Sequence, residues 1–381
     1  MSVYADYAAT TPVKPEVIEA MMDIYKNHYG NPSSIHSQGR DARRFVDESR
    51  RIVAKYLNAN PNEIIFTSGA TESNNTAIKG IALAHQDRGK HLITTKIEHH
   101  SVLHVFEHLE KQGFEVTYLD VDENGLIDIE QLKQSLREDT ILVSIMLVNN
   151  EVGTVQHIYD IQHIMSQSSA YFHMDAVQAI GHLEIDVNEF GVDALSLTAH
   201  KFGGPKGIGA LYIKKGTHMQ FLQHGGEQES KRRAGTENVA QIVGLSKALE
   251  CAEKNRDRHN VHLALLKEQL IVGLQERSVP FELNGSMVDS TNHIINLYFP
   301  FIDVETLLTL LDLSGIYVSS GSACTAGSTI PSHVLAAMYK KSNRVRQSIR
   351  ISLNEVMTIE DIKQIVIEIQ KIYLKFKEEH T

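Results

Sequence analysis

Residues 141–148 read ILVSIMLV. A stretch so nearly all apolar, with β-branched residues prominent, is what a strand buried on both faces requires, and such strands sit at the centre of parallel sheets. Working outward, further β-type runs occur at 64–67, 91–96, 115–119, 171–174, 194–198 and 208–213. Helix-period segments lie between most of them, at about 15–25, 40–57, 71–85, 101–112, 129–137 and 158–168. The alternation predicts an α/β fold, a mostly parallel sheet covered by helices on both faces. After residue 213 the pattern changes. A helix-rich stretch runs from about 238 to 277, short strands are expected near 293–299 and 316–319, and a helix over 358–377 follows. We expect a large domain over 13–255, and a smaller α+β domain from 256–381 joined by residues 1–12.

Composition narrows the function classes. The 381 residues are enough for two domains. The formal net charge of −10 argues against non-specific nucleic-acid binding, which needs a basic face. No apolar run approaches the roughly 20 residues that span a bilayer, and "MSVYADYAATTPV" lacks the basic and apolar parts of a signal peptide. Two cysteines, Cys251 and Cys324, are too few for a disulfide framework, and a reducing cytoplasm is expected. Twenty histidines form no H-E-x-x-H motif, so no metal is expected.

In open α/β sheets ligands bind beyond the carboxyl ends of the strands, so the residues following each run carry the functional argument. "SGATESNN" follows 64–67 as a glycine turn opening a helix. "IEHHS" brings His99, "NNEVG" brings Asn149 and Asn150, and the run at 171–174 ends in Asp175, with Gln178 three residues on. The run at 194–198 leads into "AHK", where Lys201 precedes a glycine-rich turn. Each has an ordinary structural reading: a helix cap, a turn carboxylate, a solvated imidazole, a surface lysine. Together they supply what a pyridoxal phosphate site needs. Lysine is the residue that holds the cofactor's aldehyde as a Schiff base. A buried carboxylate keeps the pyridine nitrogen protonated, a helix N-terminus suits the phosphate, and an aromatic ring can stack on the cofactor.

The ordered motifs "DYAATTPV", "NPSSIH", "FTSGATESNN", "NNEVG", "HMDAVQAIG", "TAHKFGGPKGIGALY", "RRAGTENV", "SSGSACTAGS" and "IRISL" resemble those of the NifS/IscS-type cysteine desulfurases, from residue 4 to about 354. The resemblance implies a fold-type I, pyridoxal 5'-phosphate-dependent homodimer that takes sulfur from L-cysteine. The products would be L-alanine and a persulfide on Cys324, handed to protein acceptors such as an iron–sulfur scaffold or a tRNA thiolase. Carried over by position, Lys201 resembles the Schiff-base lysine and catalytic base, Asp175 the pyridinium partner, and Gln178 the contact to the ring hydroxyl. His99 would stack on the ring and move protons. Ala70, Thr71, Thr198 and His200 resemble the phosphate contacts, and Thr236 the threonine that reaches the neighbouring subunit's phosphate. Asn150 and Arg350 would hold the substrate carboxylate. Cys324, among small polar residues, fits a reactive thiol, whereas Cys251 in "SKALECAEKN" reads as a helix-face residue. Departures from the common pattern, such as Thr198 for serine and Asn354 for glycine, remove no catalytic group. A selenocysteine lyase, an aminotransferase and a non-catalytic scaffold share the fold. An aminotransferase has no need of Cys324, and a scaffold has no need of Lys201, Asp175 or Cys324.

Overall fold

A computed structural model describes residues 2–320, 331–340 and 342–379. Cys324 therefore lies outside the described residues. The central element is a seven-stranded sheet whose spatial order is Ile64–Thr67, Gly209–Ile213, Ala194–Thr198, Tyr171–Asp175, Thr140–Met146, His91–Thr95 and Glu115–Leu119. Every residue of Thr140–Met146 is buried, and the strand sits inside the sheet, as its apolar run predicts. Helices such as Ala70–Ala84, His100–Glu110 and Ile158–Met165 lie between the strands in sequence.

One strand runs against the rest. Gly209–Ile213 is antiparallel to both neighbours, Ile64–Thr67 and Ala194–Thr198. The short loop from Thr198 to Gly209 holds no helix long enough for a crossover, so the chain must fold straight back. Ile64–Thr67, reversed twice in space, then points the same way as the parallel strands. Its carboxyl end joins theirs at one edge of the sheet.

A second, three-stranded antiparallel sheet is ordered Ser348–Ser352, Ile294–Tyr298, Glu282–Asn284. The N-terminal strand Val3–Tyr4 pairs with Ile316–Tyr317. The 38-residue helix Val239–Glu276 connects the two parts. Its first half, from Val239 to Ala252, packs into the core of the large sheet. Its second half, from Leu263 to Leu274, packs with Ile295, Leu297, Ile349 and Ile351 in a separate apolar cluster that also takes Val3 and Ala5. The helix runs without interruption through residue 255, so the chain has no linker there.

Candidate active site

The carboxyl edge of the large sheet opens into a cavity of about 590 Å³. Its walls include Ala70, Thr71, His99, Asn150, Asp175, Gln178, Thr198, His200, Lys201 and Arg350. Ten of the positions read from the sequence thus meet in one place. Thr236 is exposed and outside this cavity.

Register explains the meeting. Met146 pairs with Asp175, and Asp175 with Ser196, so three adjacent strands end within two residues of one another. Beside them Gly209 pairs with both Thr198 and Thr67. A Cβ on Gly209 would come within 2.5 Å of the Leu197 carbonyl oxygen and 2.8 Å of Gly69 Cα. Only glycine lets the Ser68–Gly69 turn cross this strand so closely. Gly69 itself, at φ 150°, occupies a region closed to side chains and forms the N-cap of the helix Ala70–Ala84. Among the described residues no side chain caps that helix. Its first N–H groups are left to a ligand at the cavity wall, where an anion gains from both the donors and the helix dipole.

Asp175 is buried at its strand end. Its Oδ2 accepts from Asn74 Nδ2 at 2.8 Å, and its Oδ1 from the Val177 backbone at 3.0 Å. Burial raises the carboxyl's proton affinity, while the Val177 N–H, Asn74 and the Lys201 charge oppose the rise. A cation at the cavity side would complete that compensation. Asn74 also donates to Ser101 Oγ at 2.9 Å, and Ser101 lies 2.8 Å from His99 Nδ1. Carboxylate, amide, hydroxyl and imidazole thus form one relay. The Ser101 backbone N–H donates to His99 Nδ1, leaving the ring proton on Nε2. Burial, then the charge of Lys201, holds the His99 pKa down to about 4, so the ring is neutral at pH 7.

Lys201 ends the short turn that follows Ala194–Thr198, and its Nζ donates to the carbonyls of Ala8 at 2.5 Å and Ala9 at 2.9 Å. The N-terminal segment is therefore part of the site. Thr11 fastens it by bonds to His200 O and Gly203 N. Arg350 is 2% exposed and donates from Nη2 to Asp6 at 2.7 Å and from Nη1 to Asn150 O at 2.8 Å. Asn150 Oδ1 is buried with no hydrogen-bond partner among the described residues.

The described residues that flank segment 321–330 in sequence touch Arg350 and the neighbour of Asn150. Ser319 pairs with Arg350 through both backbone groups. On the far side Ser332 donates to Glu151 at 2.5 Å, and Glu151 adjoins Asn150. Sequence patterns did not single out Asn74, Ser101, Asp6 or Ala8. Their partners lie 101, 2, 344 and 193 positions away, and only Ser101 is near enough for a local capping signal.

His173, two residues before Asp175, sits between Ser144 Oγ at 2.8 Å and Ser196 Oγ at 3.0 Å, and burial holds its pKa down to about 3. The sign follows. The unfolded chain protonates this imidazole below about 6.5 and the folded chain does not, so its contribution is complete above that pH and is lost as pH falls towards 3. A His173→Asn variant is expected to be less stable at pH 7. Its unfolding free energy, from urea titration, should then fall less steeply between pH 6 and 4.5, by up to about 1.4 kcal/mol per pH unit. An unchanged acid slope would contradict the assignment.

A lysine, a buried carboxylate and an uncapped helix N-terminus at the carboxyl edge of such a sheet are the parts that a pyridoxal-phosphate site needs. The chain belongs to the aminotransferase class-V family, whose pattern matches residues 3–365. It is 48% identical to the cysteine desulfurase IscS of Dictyoglomus turgidum over 98% of this chain and 95% of that protein. The cysteine desulfurase IscS of Methanosarcina thermophila is likewise 48% identical, over 99% and 93%. Among solved structures, one described as a NifS-like protein superposes with a TM-score of 0.93 at 39% identity, covering 99% of this chain and 100% of that one. The family depends on pyridoxal phosphate, and the residues present fit that group. The cavity offers donors at one end, an under-compensated carboxylate at the other, and an amine and a neutral ring between. Among the described residues no cluster suited to a metal and no helix able to cross a membrane occurs.

Proposed function

We propose that the chain is an L-cysteine desulfurase that uses Cys324 to carry the released sulfur. The observation that supports this most directly is Lys201 and Asp175 facing one cavity in a chain nearly half identical, end to end, to proteins named cysteine desulfurase. Pyridoxal phosphate supplies a carbonyl that captures the substrate amine and a ring that draws electron density from its Cα. Lys201 would hold it, with the N–H groups at Ala70 and Thr71, and Thr198 and His200, around its phosphate. Asp175 would hold the positive ring nitrogen, Gln178 would meet the ring hydroxyl oxygen, and His99 would cover the ring face.

The remaining work falls to the chain's own groups. Arg350, its fork steadied by Asp6, and Asn150 orient the substrate carboxylate. Lys201 removes the Cα proton as general base. His99, with its proton on Nε2, exchanges protons with the substrate sulfur and carbon. The Cys324 thiolate then attacks that sulfur: the S–S bond forms, the Cβ–S bond breaks, and its electron pair remains with the carbon. Protonation there, and return of the Cα proton by Lys201, gives L-alanine. The persulfide passes to an acceptor, for which an iron–sulfur scaffold or a tRNA thiolase is the expected class. We place the reaction in the cytoplasm of a cell, in a homodimer whose Thr236 reaches the partner's phosphate.

The direct test is stoichiometry. Purified protein given L-cysteine and a thiol reductant should release alanine and sulfide in equal amounts. A keto acid without sulfide would overturn the reading. Asp175→Ala should retain part of its cofactor yet lose about 10²-fold in turnover, the usual scale for removing one fixed charge from a reacting centre. Parental turnover would remove Asp175 from its role.

A further inference from the structure

Behind Gln178 stands a histidine pair that the proposed reaction does not use. The rings of His182 and His293 stack face to face, 3.6 Å between centroids and 1° from parallel. Both border a second cavity of about 320 Å³, which also touches Lys201. His293 is 3% exposed and immediately precedes the strand Ile294–Tyr298. Its Nε2 lies 3.3 Å from Gln178 Oε1, and Gln178 Nε2 donates to the Ala8 carbonyl at 3.0 Å.

These contacts fix both groups. A glutamine Oε1 only accepts, so the His293 proton sits on Nε2. Among the described residues the buried His293 Nδ1 has no hydrogen-bond partner, and a second proton there would add a cation near Arg350, Lys201 and Lys267. His293 is a neutral donor. Turning the Gln178 amide over would press its oxygen against the Ala8 carbonyl and strand the histidine N–H. One amide hydrogen is thus spent on Ala8, and the other remains for the active cavity that Gln178 lines.

We propose that His293 is a positioning residue for the cofactor: it locks the Gln178 amide so that an N–H, not a carbonyl oxygen, faces the ring hydroxyl oxygen. This rests on the reading of Gln178 given above. The test is the equilibrium affinity of the cofactor-free full chain for pyridoxal 5'-phosphate, read in single and double variants. Gln178→Ala should weaken binding about 10-fold, the scale of one hydrogen bond to a charged oxygen. His293→Leu should weaken it about fivefold, and His293→Gln, which keeps a side-chain donor, should recover most of that loss. In the Gln178→Ala background His293→Leu should change affinity less than twofold. Equal loss in both backgrounds would make His293 a packing residue and overturn the proposal, as would parental affinity in His293→Leu. Parental affinity in Gln178→Ala would instead overturn the contact beneath it.

Discussion

Replacing Lys201 by alanine is expected to lower turnover by at least about 10³-fold, because one residue both holds the cofactor and acts as general base. The variant should also lack the visible colour of covalently held cofactor. Among the described residues two lysines line the cavity, Lys201 and Lys206, so the prediction has an internal control. Lys201 is half-buried and held against the Ala8 and Ala9 carbonyls, whereas Lys206 is exposed at the mouth. Lys206→Ala should keep its colour and most of its activity. Removing the Lys201 amine leaves two carbonyls that water in the cavity can satisfy, so stability should change by no more than about 1 kcal/mol. A coloured, active Lys201→Ala protein, or a colourless Lys206→Ala protein, would reverse the assignment.

Lys201, Asp175 and His99 were legible for a geometric reason. Parallel strands that end close together put whatever follows them at one edge, so a list of residues after apolar runs is already a list of neighbours in space. Thr140–Met146 was legible because burial on both faces leaves no polar alternation to confuse it. The antiparallel course of Gly209–Ile213 was hidden, since its apolar pattern is the same in either direction. Glu282–Asn284 is too short for a period to show.

The hidden parts of the site are those made by distant chain. Ala8 receives both the Lys201 amine and the Gln178 amide, yet an alanine carbonyl leaves no trace in a residue pattern. Asp6 reads as a turn residue until Arg350 is seen beside it. Asn74, inside a helix, became meaningful only because its amide spans Asp175 and Ser101. The motif "DYAATTPV" marked the right segment through family resemblance; the structure supplies the physical reason, a backbone shelf under the lysine.

Cys324→Ser is expected to separate the cofactor's work from sulfur transfer. The substitution exchanges sulfur for oxygen at the proposed nucleophile and alters none of the cavity residues that would hold cofactor or substrate. Attack on a sulfur atom needs a thiolate; a serine hydroxyl is un-ionised at neutral pH and is a poor nucleophile towards sulfur. The variant should stay coloured, and its spectrum should still respond to added L-cysteine, because capture of the amine precedes sulfur transfer. Alanine formation should fall by about 10³-fold, in line with loss of an essential nucleophile. Cys251 offers the control: it is a partly buried residue of the helix Val239–Glu276, and Cys251→Ser should match the parent. After L-cysteine alone, alkylation and mass measurement should find the extra sulfur on the peptide containing residue 324. Sulfur on Cys251, or alanine at the parental rate from Cys324→Ser, would overturn the transfer step while leaving the cofactor assignment standing. Ser319 and Ser332, on either side of segment 321–330, contact Arg350 and the neighbour of Asn150, the two residues expected to grip the substrate carboxylate.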